Sequence, residues 1–387
     1  MGKLKNAAWR VRDFFRRDAV AAIACVLAAA SCVAVPPDAR YAGYIDWRTI
    51  GMLFSLMVAT AGLSRAGVLS RMCRALVRVC KSGGVLIAAL VALTFFASMV
   101  VTNDVALVAF VPLALAALRE AGLVRRLAFA IVCMTIAANV GSMLMPLGNP
   151  QNIYVLSASG MGAGQLVAIM APYSALAFCL LAVAIGANEL SDRRHFKHIS
   201  AQVAGVQPKP LRRPLAVRDV APWAAPIIVC LLGVARVVPV AVVVAAALVI
   251  ACAFDRQALR HVDYALLLTF AAFFIFVGNV ARIDAVRETL AAVADGRALL
   301  VGAVASQVIS NVPAAILLSG FTADWPALLV GVNIGGLGTL VASMASLISY
   351  KQLAVAYPEL KGYYLRVFLG LNFAFLVAML ALAFVLS

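Results

Sequence analysis

Ser98-Met99-Val100-Val101-Thr102-Asn103-Asp104 and Ser306-Gln307-Val308-Ile309-Ser310-Asn311-Val312-Pro313 are the two stretches that decide the fold. Each is a polar interruption in an apolar run, 83 to 118 in the first case and 298 to 322 in the second. A helix crosses a hydrocarbon core of roughly 30 Å with about 20 apolar residues. The first run is too long for one such helix and polar at its middle, and the second repeats the design. Both read as re-entrant hairpins that enter and leave by the same face, with Thr102-Asn103-Asp104 and Ser310-Asn311-Val312-Pro313 at their tips.

Around these tips the whole chain is written for lipid. Of 387 residues, 65% are hydrophobic and 12% charged, which a water-soluble domain of this size has no core to hide. The net charge of +16 does not point to nucleic acid, because the basic residues fall in short clusters between apolar runs. The eight cysteines have no metal-ligand or disulfide spacing. The first apolar run, 19 to 35, follows a basic stretch and reads as an uncleaved anchor, since removing it as a signal peptide would break the topology.

The runs between basic clusters predict an all-α polytopic protein with about nine crossings plus the two hairpins. The crossings lie near 19–35, 46–64, 127–157, 165–188, 220–235, 238–254, 262–281, 326–350 and 363–386. With the N-terminus inside, the predicted cytoplasmic segments (1–18, 65–81, 119–126, 189–219, 255–261 and 351–366) hold 26 of the 32 Lys and Arg. That is the asymmetry the positive-inside rule requires, and it places the chain in a cell (inner) membrane with a cytoplasmic N-terminus.

The chain also repeats itself. Ile45-Asp46-Trp47, an apolar run and Arg65 match Val262-Asp263-Tyr264, an apolar run and Arg282. Ser98 to Asn103 matches Ser306 to Asn311, and Ala138-Asn139-Val140-Gly141 matches Val332-Asn333-Ile334-Gly335. The matches keep their order, and in the derived topology the two copies run in opposite directions. The expected organisation is a basic N-terminus (1–18), a first inverted repeat (19–188), a cytoplasmic linker (189–219), a linking helix (220–236) and a second inverted repeat (237–387). Inverted repeats are the signature of alternating-access transporters.

Each repeat contains a second interruption. Gly141-Ser142-Met143-Leu144-Met145-Pro146-Leu147-Gly148-Asn149-Pro150-Gln151-Asn152 sets Gly and Pro inside a span, and Gly335-Gly336-Leu337-Gly338-Thr339 through Ser343 and Ser346 does so with Gly and hydroxyls. Pro removes a donor and crowds the preceding turn, and unwound backbone at membrane depth survives only against a cavity or inside protein. Discontinuous helices are therefore expected to meet the hairpin tips. Their N-termini favour an anion, and their loop carbonyls with Asn and Ser oxygens favour a desolvated cation. Side chains expected at the substrate are Thr102, Asn103, Asp104, Asn149, Gln151, Asn152, Ser310, Asn311, Thr339 and Ser343. Asp104, the one intramembrane carboxylate, is expected to take up a proton or help hold a cation, its other available role being a helix cap. Small residues and single asparagines also serve helix packing.

Thr102-Asn103-Asp104 with Val105-Ala106-Leu107, Gly148-Asn149-Pro150-Gln151-Asn152 and Ser310-Asn311-Val312-Pro313 together resemble the ion transporter superfamily. The likeness is to its branch of arsenite efflux permeases and anion permeases with a citrate-transporter-like domain, and it covers roughly 20 to 387. The resemblance implies a scaffold domain and a transport domain that shifts like an elevator. It also implies one sodium site at Ser98, Thr102, Asn103 and Gly148 and a second at Ser306, Ser310 and Asn311. Related divalent anion:sodium symporters carry Thr at the third tip position, where this chain has Asp104 and Val312. A carboxylate repels a dicarboxylate unless protonated, and Val donates nothing, so a small oxyanion or weak acid of arsenite type fits better than citrate.

The expectation is a secondary transporter of a small anion, coupled to Na+ or H+, with no further cofactor and no nucleic-acid partner; a homodimer stays open. A sodium/proton antiporter is the rival within transport, and it would ordinarily use more than one buried carboxylate. An intramembrane protease needs two carboxylates or a serine with a base, and His195, His198 and His261 all fall in loops or at a membrane edge.

Overall fold

A computed structural model describes residues 19–80, 82–193 and 217–386. The basic N-terminus at 1–18 and most of the 189–219 linker, with His195 and His198, lie outside the described residues. Every regular element described is helical, the arrangement that satisfies backbone N–H and C=O groups without water. The chain is an all-α polytopic membrane protein.

Its helices run α1 (Ala19–Ala34), α2 (Trp47–Arg65), α3 (Val68–Val79), α4 (Gly83–Ala97), α5 (Asn103–Glu120), α6 (Leu127–Ser142), α7 (Pro150–Ser159) and α8 (Ala163–Arg193). After the linker come α9 (Val217–Val234), α10 (Val240–Phe254), α11 (Tyr264–Val280), α12 (Asp284–Ala294), α13 (Ala298–Ile309), α14 (Asn311–Ser319), α15 (Trp325–Ile334), α16 (Met344–Ala356) and α17 (Lys361–Leu386). The run 83–118 is divided between α4 and α5, and 298–322 between α13 and α14. Of the nine expected crossings, 127–157 is the broken pair α6/α7 and 326–350 the broken pair α15/α16.

Besides the single turn Tyr41–Tyr44, two of the described helices were not expected. α3 falls in 65–81 and α12 in an outer segment, both read from sequence as loops. Val68, Leu69 and Cys73 are buried along α3 while Met72 stands exposed, and α12 carries Asp284, Arg287 and Glu288 among its apolar residues. Such amphipathic pieces have low average hydropathy, which hides them from a search for apolar runs. α11 and α12 meet at 105°. Val124–Ser142, Ala163–Leu190 and Pro358–Leu386 are each long and apolar enough to cross a membrane alone.

Packing follows an exchange between the two ends of the chain. α1 lies on α11 and α10 on α2, while α4 packs on α6 and α13 on α15. α5 packs on α16, and α14 on α7. Glycine permits the tightest of these approaches, as is usual between helices in lipid. A Cβ at Gly62 would lie 2.1 Å from the Trp223 ring of α9, one at Gly141 would lie 2.3 Å from the Phe95 carbonyl oxygen, and one at Gly331 would lie 2.3 Å from that of Leu299.

Candidate functional site

Both hairpin tips and both helix breaks meet in one buried polar cluster. The α4/α5 tip is held by its backbone, since Asn103 N–H donates to the Gly148 carbonyl at 3.1 Å. Its side chain reaches α6, where Asn103 Nδ2 donates to Asn139 Oδ1 at 3.1 Å. At the α13/α14 tip, Ser310 Oγ donates to the Ala342 carbonyl at 3.4 Å. Ser310 sits at φ 74, ψ 153, a conformation that L residues other than glycine rarely hold.

The breaks are tied by amide side chains. Asn152 Nδ2 donates to the carbonyls of Met143 and Met145, both at 3.1 Å. Gln307 Nε2 does the same at the other break, to Gly335 at 2.8 Å and Leu337 at 2.9 Å, while its Oε1 accepts from Thr339 N–H at 2.9 Å. Thr339 Oγ1 returns a bond to the Gln307 carbonyl at 2.9 Å. These bonds absorb backbone groups that unwinding left unpaired.

Two crossed bonds then join the breaks to one another. Asn149, which caps α7 by accepting from Asn152 N–H, donates Nδ2 to Asn333 Oδ1 at 2.9 Å. Ser343, at the start of α16, donates Oγ to Asn139 Oδ1 at 3.0 Å. Asn333 Nδ2 donates to Asn152 Oδ1 at 2.8 Å, and Gln151 Nε2 makes a long 3.5 Å contact with Asn333 Oδ1. The N-termini of α5, α7, α14 and α16 all begin at this cluster, each carrying a fraction of positive charge of about half a unit.

Asn103, Asn149, Gln151, Asn152, Thr339, Ser343 and Ser310 thus enter the network. Asn311 is buried beside Gly336, where a Cβ would lie 2.8 Å from its Nδ2, and Thr102 is buried at the first tip. Ser98 Oγ donates to the Phe95 carbonyl and Ser306 Oγ to that of Gly302, so both keep lone pairs able to face a cation. Asp104 is the second residue of α5 rather than its cap; Asn103 Oδ1 instead accepts from Asp104 N–H at 3.0 Å. One carboxylate oxygen of Asp104, Oδ1, is buried with no hydrogen-bond partner among the described residues.

Three central residues were absent from the expected set. Asn139 and Asn333 did stand inside the third repeat match, an Asn at matched positions in two apolar runs. Gln307 carried no signal beyond its place beside Ser306, because its partners lie in the other interruption of the same half. A second polar group, Thr135 Oγ1 donating to Ser349 Oγ at 2.7 Å with Tyr364 OH 3.4 Å beyond, joins helices distant in sequence and leaves no local pattern.

The profile of the citrate transporter family matches residues 7–324. An uncharacterized transporter of Methanocaldococcus jannaschii is 28% identical over 79% of this chain and 81% of its own length. The inner membrane protein YbiR of Escherichia coli is 32% identical over 79% of this chain and 80% of its own. The putative transporter arsB of Dictyostelium discoideum is 29% identical over a shorter stretch, 35% of this chain and 24% of that protein.

Proposed function

The chain belongs to the citrate transporter family, and from that premise we propose that this membrane transporter carries a small anion, oxyanion or weak acid of arsenite type by secondary active transport. Coupling is to protons or sodium, and the protein sits in the inner membrane with its N-terminus cytoplasmic. The observation that carries the reading is the pair of crossed bonds, Asn149 to Asn333 and Ser343 to Asn139, which draws both breaks into one charge-poor cluster of amides, hydroxyls and helix N-termini. Such a cluster suits an anion bound without Lys or Arg.

The same elements support movement. The pairs α1/α11 and α2/α10 form a frame, and the hairpins and broken helices form the body that carries the site. In two inverted repeats, shifting that body against the frame exposes the site alternately to each side. Sodium would lie at Ser98, Thr102, Asn103 and Gly148, and at Ser306, Ser310 and Asn311; a proton would ride on Asp104. Asp104 and Val312 at the tips argue against citrate itself.

The test is transport in right-side-out and inverted vesicles with arsenite, phosphate, sulfate and citrate under sodium and pH gradients. A gradient-dependent flux of a small oxyanion or weak acid, larger than that of citrate, is expected. Folded protein that moves none of the four under either gradient would refute the reading. Asp104→Asn is expected to flatten the pH dependence of the flux, and an unchanged pH profile removes the carboxylate from coupling.

A further inference from the structure

We infer that the substrate places an oxygen acceptor between Asn139 and Ser346, in the interface of α6 and α16, and that the corresponding place between α15 and α7 is closed by the protein's own Asn152. The inference rests on the transport reading above and narrows its site. Counting on from the matched Asn139 and Asn333, Asn149 corresponds to Ser343 and Asn152 to Ser346. The crossed bonds obey this correspondence, Asn149 donating to Asn333 and Ser343 to Asn139.

One turn further on, the halves part. Asn333 Nδ2 is fully used, donating to Asn152 Oδ1 at 2.8 Å and to the Leu329 carbonyl at 2.9 Å. Its counterpart Asn139 Nδ2 has no hydrogen-bond partner among the described residues, and neither has Ser346 Oγ, although Asn139 is only 6% exposed and Ser346 is fully enclosed. Serine lacks the length with which asparagine closes the other interface. Native proteins seldom leave two buried polar atoms unmatched without a use for them.

The neighbours fix where the pair sits. Ser343 is the extended residue that precedes α16, and Ser346 and Ser349 follow it at three-residue spacing within the helix, where i and i+3 side chains are neighbours. Ser343 meets Asn139, and Ser349 meets Thr135 one turn earlier on α6, so Ser346 lies between two contacts that hold it against α6. The counterparts of Thr135 and Ser349 are Leu329 and Val155, and the polar stripe exists in one half alone.

The chemistry selects the ligand. Asn139 Oδ1 already accepts from Asn103 and Ser343, so the group left over is an NH2, a donor that repels a bare cation. Ser346 donates or accepts. An oxygen of an oxyanion, a weak oxyacid or a carboxylate satisfies both atoms, whereas sodium could use the serine oxygen alone and would meet the amide NH2, which leaves the coupling ion to other residues.

The experiment compares Ser346→Ala, Ser346→Asn and, as a neighbour control, Ser349→Ala in the full-length protein, using the vesicle flux of arsenite and phosphate together with thermal melting. Ser346→Ala is expected to raise KM for the transported probe about tenfold, the loss of one hydrogen bond, with kcat and melting temperature nearly kept. Ser346→Asn is expected to pair with Asn139 as Asn152 does with Asn333, melting at or above wild type while flux collapses. Ser349→Ala is expected to leave KM unchanged. If wild type transports a probe and Ser346→Ala retains its KM, the two atoms hold only a structural water and the inference is overturned while the transport reading stands. If wild type transports neither probe, the transport reading for these solutes fails and the proposed ligand falls with it.

Discussion

At the scale of single residues, the tips and breaks are held by contacts that leave little room. Gly148 lies so close to the end of α6 that a Cβ would stand 2.0 Å from the Ser142 carbonyl oxygen, and backbone at both ends of the contact cannot swing away. Gly148→Ala is expected to lose folded protein, at a cost of about 1–3 kcal/mol or more for overpacking, seen as a lowered melting temperature in detergent. A wild-type melt for this variant would contradict the packing at the first break. Ser310 presents the opposite case, strain without crowding. Its φ of 74 with ψ 153 costs a non-glycine residue on the order of 1–3 kcal/mol, and its hydroxyl contact with Ala342 is long at 3.4 Å. Ser310→Gly is therefore expected to raise the melting temperature while slowing transport, because the strained conformation presents the serine oxygen to the site. A variant no more stable than wild type would mean that the tip is relaxed.

At the scale of elements, what the sequence told and what it hid follow from one physical difference. Breaks inside apolar runs were legible, because Asn103, Pro146, Gly148, Ser310 and Gly338 have no ordinary place in the middle of a membrane helix. α3 and α12 were not, because an amphipathic helix averages to neither apolar nor charged. The hairpin residues of the site were legible for the same reason as the breaks. The crossed bonds were not, since Asn149 and Asn333 become neighbours only when α7 packs near α15. Outside the membrane body, the end of α2 is held by a contact that depends on pH. Arg65 donates to Asp255 at 2.6 Å and to Gln257 at 2.8 Å, tying α2 to the short turn that leads into α11. The Arg65 hydrogen bond holds the Asp255 carboxyl below the usual carboxylate range. A depressed folded value means that the contribution is complete above the ordinary carboxylate pKa of about 3.9 and is lost as pH falls through the lower, folded value. With both side chains 29% exposed, the pair is worth at most about 1 kcal/mol. Asp255→Asn is expected to melt slightly below wild type at neutral pH, with the gap closing on acidification below about pH 4. A gap that persists in acid would assign the difference to something other than this ion pair.

At the scale of the whole molecule, the question is whether the matched segments run in opposite directions through the membrane. Asp46 caps α2 by accepting from the N–H groups of Arg48 and Thr49, and Asp263 caps α11 by accepting from that of Leu266, so each helix has the same kind of start. Contacts exchange in the same way, α10 lying on α2 and α1 on α11, with α5 on α16 and α14 on α7. A pseudo-two-fold axis in the membrane plane would account for these exchanges with one operation, and it would require the two capped starts to face opposite sides. The flanking aromatic residues Trp47 and Tyr264 are 64% and 52% exposed, which makes them suitable reporters. In a background without the native cysteines, Trp47→Cys is expected to react with an impermeant maleimide from the outer face. Tyr264→Cys is expected to react only in inverted vesicles, which expose the side proposed as cytoplasmic. Labelling of both positions from one face would leave the repeated sequences intact but remove the inversion, and with it the symmetric route by which one site is opened to each side in turn.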